Sequence, residues 1–208
     1  MTPAALLARG LADLHLELPT GAEAKLLAYL DLLLKWNKTY NLTALREPAK
    51  MVSHHLLDSL SVLPHLAQGP IADIGSGAGL PGIPLALAQP QRAISLNDSN
   101  HKKATFLKQA VIELAVANAT VVHARTEDWR PEPPPACIIS RAFAELADFL
   151  SAARHLAPPG AQFAAMKGVY PNDELARLPA GFSCEKIVPL SVPFVKGDRH
   201  LVLCRRQA

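Results

Sequence analysis

Cysteine is scarce in this chain of 208 residues, with three in all, Cys137, Cys184 and Cys204. No pair has CxxC spacing, which argues against a structural zinc site, and the expectation is no bound metal. Three scattered thiols, with Cys137 and Cys204 in apolar surroundings, read as free and point to a reducing cytosol. Aromatic residues are only 5% of the chain, so its core must be mainly aliphatic. No run of about 18 uncharged apolar residues occurs, so nothing in the sequence reads as spanning a membrane. Charge of one sign is also lacking: 21 basic against 18 acidic residues leave a net +3, too mild either to demand or to exclude a nucleic-acid partner. The first 18 residues lack a basic leading segment and are interrupted by Arg9, Asp13, His15 and Glu17, unlike a secretory signal.

What is present is a globular mixture, 50% hydrophobic and 19% charged, long enough for a self-sufficient core of one domain with an appendage. Residues 1–68 read as a helical segment. Leu26, Leu27, Leu30, Leu33 and Leu34 recur at helical spacing after Thr20 as a candidate N-cap. A polar stretch, Trp36 to Thr43, follows, and Glu47-Pro48 restarts a helix to about Leu66. Residues 69–208 read differently. Short apolar runs at 71–74, 93–96, 120–123, 136–140 and 162–167 alternate with helical stretches, the pattern of a parallel sheet covered by helices, an α/β fold. Two last runs, 182–190 and 200–204, lie close together across Pro193 and Gly197 and read as an antiparallel pair. Pro131 to Pro135 reads as a stiff surface loop.

The most informative stretch runs from Ile71 to Gly82, with a buried strand, Asp73, then Gly75, Gly77 and Gly79 as GxGxG, then a helix from about Pro81. Glycines let a backbone take positive φ and a ligand come close, and a helix start offers amides to an anion. Gly77, Gly79 and Gly82 also spell the dinucleotide fingerprint. An acid just before a pyrophosphate would repel it, whereas S-adenosylmethionine is cationic at sulfur and ammonium, so Asp73 favours the methyl donor. Asp98, at the end of the second strand, is placed to grip both ribose hydroxyls or to cap the helix after Ser99. Thr126 and Glu127 follow the third strand, where an acid can accept from the adenine amino group.

The chain resembles the bacterial family of small-subunit ribosomal RNA methyltransferases RsmG, also called glucose-inhibited division protein B. The resemblance rests on Lys35-Trp36-Asn37-Lys38 with Tyr40-Asn41-Leu42-Thr43, on His55-Leu56-Leu57-Asp58-Ser59, and on the loop from Asp73 through Leu80-Pro81-Gly82-Ile83-Pro84-Leu85. It continues through Asp98-Ser99, Ser140-Arg141-Ala142-Phe143-Ala144, Met166-Lys167-Gly168 and Arg199-His200-Leu201. It implies a class I, Rossmann-like methyltransferase with a seven-stranded, mostly parallel sheet behind an N-terminal helical segment. It further implies methyl transfer from S-adenosylmethionine to N7 of one guanine in the decoding-region loop of 16S rRNA, by a cytoplasmic monomer acting on the small ribosomal subunit. Gly75, Leu80, Thr126, Glu127 and Arg141 match the family's donor-binding positions, and Asp73 and Asp98 the general class I pattern. Asn97, polar where the strand should be apolar, departs from the pattern and is expected to loosen the strand end; Asn100-His101 is more polar than usual.

Guanine N7 carries an in-plane lone pair and needs no deprotonation, so no general base is expected, only positioning. Arg141, beyond a buried strand, can hold the donor or hydrogen-bond guanine O6, or can form an ion pair with Glu145 or Glu127. Lys102, Lys103, Lys167, Arg199 and His200 are the candidates for RNA phosphate contact. Trp36 and Tyr40 can stack on a base or pack a helix. His54, His55 and Asp58 read as a packed or capped helix rather than a metal site.

Overall fold

The computed structural model describes residues 1–141 and 143–207; Ala142, inside the Ser140–Ala144 block, lies outside the described residues, as does Ala208. Seven strands form one sheet: β1 (Ile71–Ile74), β2 (Ile94–Asn97), β3 (Ala119–Val122), β4 (Cys137–Ser140), β5 (Gln162–Lys167), β6 (Phe182–Pro189) and β7 (His200–Arg206). Their order is β3-β2-β1-β4-β5-β7-β6. The first five strands run parallel, and β7 enters antiparallel to both β5 and β6. The order reverses between β1 and β4, which opens a crevice beyond the carboxyl ends of those strands.

Alternation within each strand sorts the core onto two faces. Ile71, Leu96, Ile139, Ala164, Leu201 and Leu203 point to one face. Ala72, Ile74, Ile138, Phe163, Val202 and Cys204 point to the other, beneath the helix Leu146–Ala153. The first face carries the helices Gly82–Ala88 and His101–Glu113 and also the N-terminal helices. Leu7, Leu26, Tyr29, Leu33 and Leu57, all at 0% exposure, share that core, so the N-terminal segment is packed into the sheet's own hydrophobic layer.

Local structure departs from the sequence pattern at several points. The second helix, Ala22–Tyr40, starts from Gly21 at φ +82 rather than from Thr20. It runs through the polar stretch to Asn41, whose left-handed conformation ends it. Trp36 stacks on Tyr40 one turn away and meets Phe106 edge-on at 5.7 Å, so the pair serves helix packing. The next helical run is not uniform: α-helical over Pro48–Met51, it widens to a π-helix at Val52–Leu57 and resumes at Asp58–Leu60. Asn100, not Asp98, caps the helix after β2, its side chain accepting from the amides of Lys102 and Lys103. Asn97 tightens its strand end instead of loosening it. At 1% exposure, its amide nitrogen donates to the carbonyls of Val122 and Ala124.

Candidate active site

The loop between β1 and the helix Gly82–Ala88 is held from three sides. From beneath, Asp73 accepts a hydrogen bond from the Gly82 amide at 2.9 Å on Oδ2, and its carbonyl accepts from the Ser76 hydroxyl. Asp73 is wholly buried, and burial pushes its carboxyl up to about 7 against the ordinary 3.8. It lines none of the cavities at the loop, so it builds the loop rather than touching the donor, which corrects the expectation of direct contact. From the N-terminal helices, the buried Tyr29 hydroxyl donates to the Ala78 carbonyl at 2.6 Å. From the next strand, Asp98 Oδ2 accepts from the Gly77 amide at 2.9 Å, while Oδ1 accepts from Asn100. Each carboxylate oxygen keeps a second lone pair for a ligand hydroxyl.

The three glycines of the motif have different tasks. Gly77 has φ +60, and a Cβ there would meet nothing closer than 3.7 Å, so it faces open space where a ligand can approach. Gly79, also at positive φ, is buried, and a Cβ there would strike Ile83 at 2.5 Å, so it serves packing rather than ligand contact. A Cβ on Gly82 would lie 2.2 Å from Leu96 and 2.6 Å from Asp73 Oδ2, which brings helix and strands into close contact.

Two cavities meet at Gly75. One, of about 370 Å³, is lined by Gly75, Asn97, Asp98, Ser99, Arg125, Thr126, Glu127 and Phe143. Its floor is set by Asn97, whose Oδ1 accepts from the Thr126 hydroxyl at 3.0 Å. The other, of about 300 Å³, is lined by Leu42, Thr43, Gly75, Ser76, Gly77, Ala78, Leu80, Lys103 and Arg141. Together they form a groove that takes a nucleoside at the carboxylate end and a charged chain along the glycine amides, the shape and chemistry of S-adenosylmethionine. Gly75, Gly77, Leu80, Asp98, Thr126, Glu127 and Arg141 are thus brought to one groove. Lys103 lines it too, its ammonium 4.0 Å from Asp98 Oδ2. Lys102 stays exposed.

Sequence reasoning missed the contribution of the N-terminal segment to this groove. Asn37 exchanges two 2.9 Å hydrogen bonds with the backbone of Thr43, and the Thr43 hydroxyl bonds His55 Nε2 at 2.9 Å. His55 is buried, and burial, then the Arg141 charge, lower its imidazole to about 4. A neutral ring therefore fixes the loop that carries Leu42 and Thr43. The only sequence signal was the recurrence of Asn37, Thr43 and His55 within the family blocks.

A third cavity, of about 320 Å³, adjoins the groove and is lined by His54, Asp58, Arg141, Met166, Lys167, Gly168, Leu190, Arg199 and His200. Arg141 lines both it and the groove. Arg141 pairs with neither Glu145 nor Glu127: its Nη1 donates to Asp58 Oδ2 and to the His54 carbonyl, both at 3.2 Å. Arg199 brings Nε to 3.3 Å from Asp58 Oδ1. Lys167 lines the cavity but is not a free cation. Its ammonium meets Glu174 at 2.7 Å and the carbonyls of Phe143 and Ala144, so it anchors the segment after β4 instead of an RNA phosphate. His200 turns Nδ1 to the Gly168 carbonyl and packs under Tyr170.

A family model described as rRNA small subunit methyltransferase G matches residues 22–202. The ribosomal RNA small subunit methyltransferase G of Aromatoleum aromaticum is 53% identical over 209 residues, covering 98% of this chain and 99% of the relative. That of Pseudomonas paraeruginosa is 52% identical, covering 97% and 95%. A crystal structure of a SAM dependent methyltransferase from Aquifex aeolicus shares the fold, with a TM-score of 0.58 at 18% identity over 84% of this chain and 98% of that one.

Proposed function

Because the chain belongs to the rRNA small subunit methyltransferase G family, we propose that it moves a methyl group from S-adenosylmethionine to N7 of one guanine in the decoding-region loop of 16S rRNA. The chain is a methyltransferase and S-adenosylmethionine is its donor. The observation that supports the acceptor assignment is that Arg141 lines both the donor groove and the basic cavity beside it. A base lodged in the second cavity faces the methyl group held in the first.

Gly77, Gly79 and Leu80 shape the loop along which the methionine part lies, and Asp98 with Thr126 and Glu127 holds the ribose and adenine. When bound, the donor supplies a methyl carbon on a sulfonium; the bond from that carbon to sulfur breaks as the bond to N7 forms. The guanine lone pair attacks directly, with no proton to remove, so the protein's task is to hold N7 in line at about 3–3.5 Å. Arg141 is placed to donate to O6, the atom next to N7. The two-pronged arginine grip on O6 and N7 together would occupy the attacking lone pair, and the tie of Nη1 to Asp58 opposes it. Arg199 at the cavity rim and the exposed Lys102 at the start of the helix His101–Glu113 supply positive charge for the RNA backbone, and His200 beside Arg199 supplies a hydrogen-bonding ring.

The test is transfer from labelled S-adenosylmethionine to small subunits lacking the modification, to protein-free 16S rRNA, and to no RNA. Label in the RNA of one of the first two is expected. Label in neither, with S-adenosylhomocysteine binding intact, would contradict the acceptor assignment and leave the donor groove standing.

A further inference from the structure

Asp58 is the carboxylate that lines the basic cavity, and the reaction as described uses it only to tie Arg141. It is 4% exposed yet lines the cavity. Its Oδ2 accepts from Arg141 at 3.2 Å. Its Oδ1 lies 3.3 Å from Arg199 Nε, but among the described residues it accepts no hydrogen bond. A buried carboxylate oxygen without a hydrogen bond is costly, and native proteins keep few of them. A ligand that brings aligned N–H donors to this oxygen recovers that cost.

We propose that Asp58 reads the Watson–Crick edge of the target base, accepting hydrogen bonds from guanine N1–H and the exocyclic amino group. This rests on the guanine reading above. The order of groups around the purine matches the order of side chains. N7 faces the donor groove, O6 lies next to it at Arg141, and N1–H with the amino group follows at Asp58, which Arg141 itself touches. Adenine would present an acceptor, N1, to the carboxylate and be repelled, so the same contact selects against the other purine. Arg199 covers Oδ1 in the free protein without bonding to it. Its side chain is 27% exposed, so it has room to turn outward to the RNA backbone as the base arrives.

The experiment compares small subunits assembled with 16S rRNA carrying guanosine, or inosine, which lacks the amino group, at the methylated position. The full-length chain and Asp58→Asn are assayed on both. The wild type is expected to lose about 10- to 100-fold in kcat/KM on inosine, the worth of one hydrogen bond to a charged group. Asp58→Asn is expected to lose at least that factor on guanosine, where both bonds weaken, and a smaller factor on inosine, where only the bond to N1–H is left to weaken, with S-adenosylhomocysteine affinity unchanged. A carboxylate that only clamped the two arginines would give losses that multiply, and that result overturns the proposal. So does equal wild-type activity on both subunits, which decides the matter even if Asp58→Asn fails to fold. A fall in S-adenosylhomocysteine affinity matching the fall in activity would move Asp58 to the donor groove and also overturn it. No transfer by the wild type to guanosine subunits would instead strike the guanine reading beneath it.

Discussion

Two buried groups beside the donor groove give opposite pH signatures. Asp73, pushed by burial to about 7 from 3.8, stays protonated in the folded chain where the unfolded chain is ionised. Its contribution to stability is full below the unfolded value and fades as pH rises toward 7. His55, lowered by burial and by Arg141 to about 4 from 6.5, behaves the other way. Its contribution is full above the unfolded value and fades as pH falls toward 4. Between about pH 4.5 and about pH 6.5 the two slopes oppose each other. Relative to the wild type, the Tm of His55→Gln should fall across that window as pH rises, and the Tm of Asp73→Asn should rise. Calorimetric scans of the three proteins at matched pH check this; parallel profiles would contradict it. At this scale the sequence was readable where function is local. Asp98, Gly77 and Thr126 sit at strand ends or in the glycine loop, and their positions follow from the strand–loop–helix pattern. Asp58 was not readable, because its role comes from an arginine 83 residues away and another at the start of β7. Lys167 was misread for a similar reason, since Glu174 neutralises it from a short helix after its strand.

Among the elements, the helix Ala22–Tyr40 does more than cover the sheet, because Tyr29 reaches across 49 residues to the carbonyl of Ala78 in the glycine loop. Tyr29→Phe keeps the ring packed against Phe106 but leaves that buried carbonyl without its donor. The expected cost is about 1–3 kcal/mol of stability, with a several-fold loss of S-adenosylhomocysteine affinity as the loop loosens. Urea unfolding and calorimetry measure the two, and a stability loss with unchanged affinity would show that the helix does not hold the loop. The strands could be read from their short apolar runs, and each end lies within one residue of expectation apart from β7, which runs two residues further, to Arg206. The π-helix at Val52–Leu57 could not be read, because hydrophobic spacing does not distinguish a single widened turn within a helix. That turn precedes Asp58 and carries His54, whose carbonyl takes Arg141, so the unreadable element is also a site element.

At the scale of the whole molecule, the sheet reversal between β1 and β4 places the donor groove, and the late antiparallel strand β7 brings Arg199 and His200 beside it. The donor groove takes its residues from the ends of β1 and β2, the turn after β3, the segment just after β4 and the loop at Leu42 and Thr43. The basic cavity needs residues from the N-terminal helices, β4, β5 and β7 together. The alternation of strands and helices and the terminal antiparallel pair were legible in the sequence; the convergence of four distant segments on one cavity was not, since it depends on strand order. A net charge of only +3 gives little long-range steering, so selection of one nucleotide falls to this cavity. The central claim is that the methyl group goes to guanine N7, and chain cleavage tests it most directly. RNA labelled by the protein would be treated with borohydride and then aniline, which cut the chain at N7-methylguanine. The account predicts a single cut in 16S rRNA, in the decoding-region loop, with the label released from the chain as the methylated base. Labelled RNA that resists cleavage would place the methyl group on another atom and contradict the account.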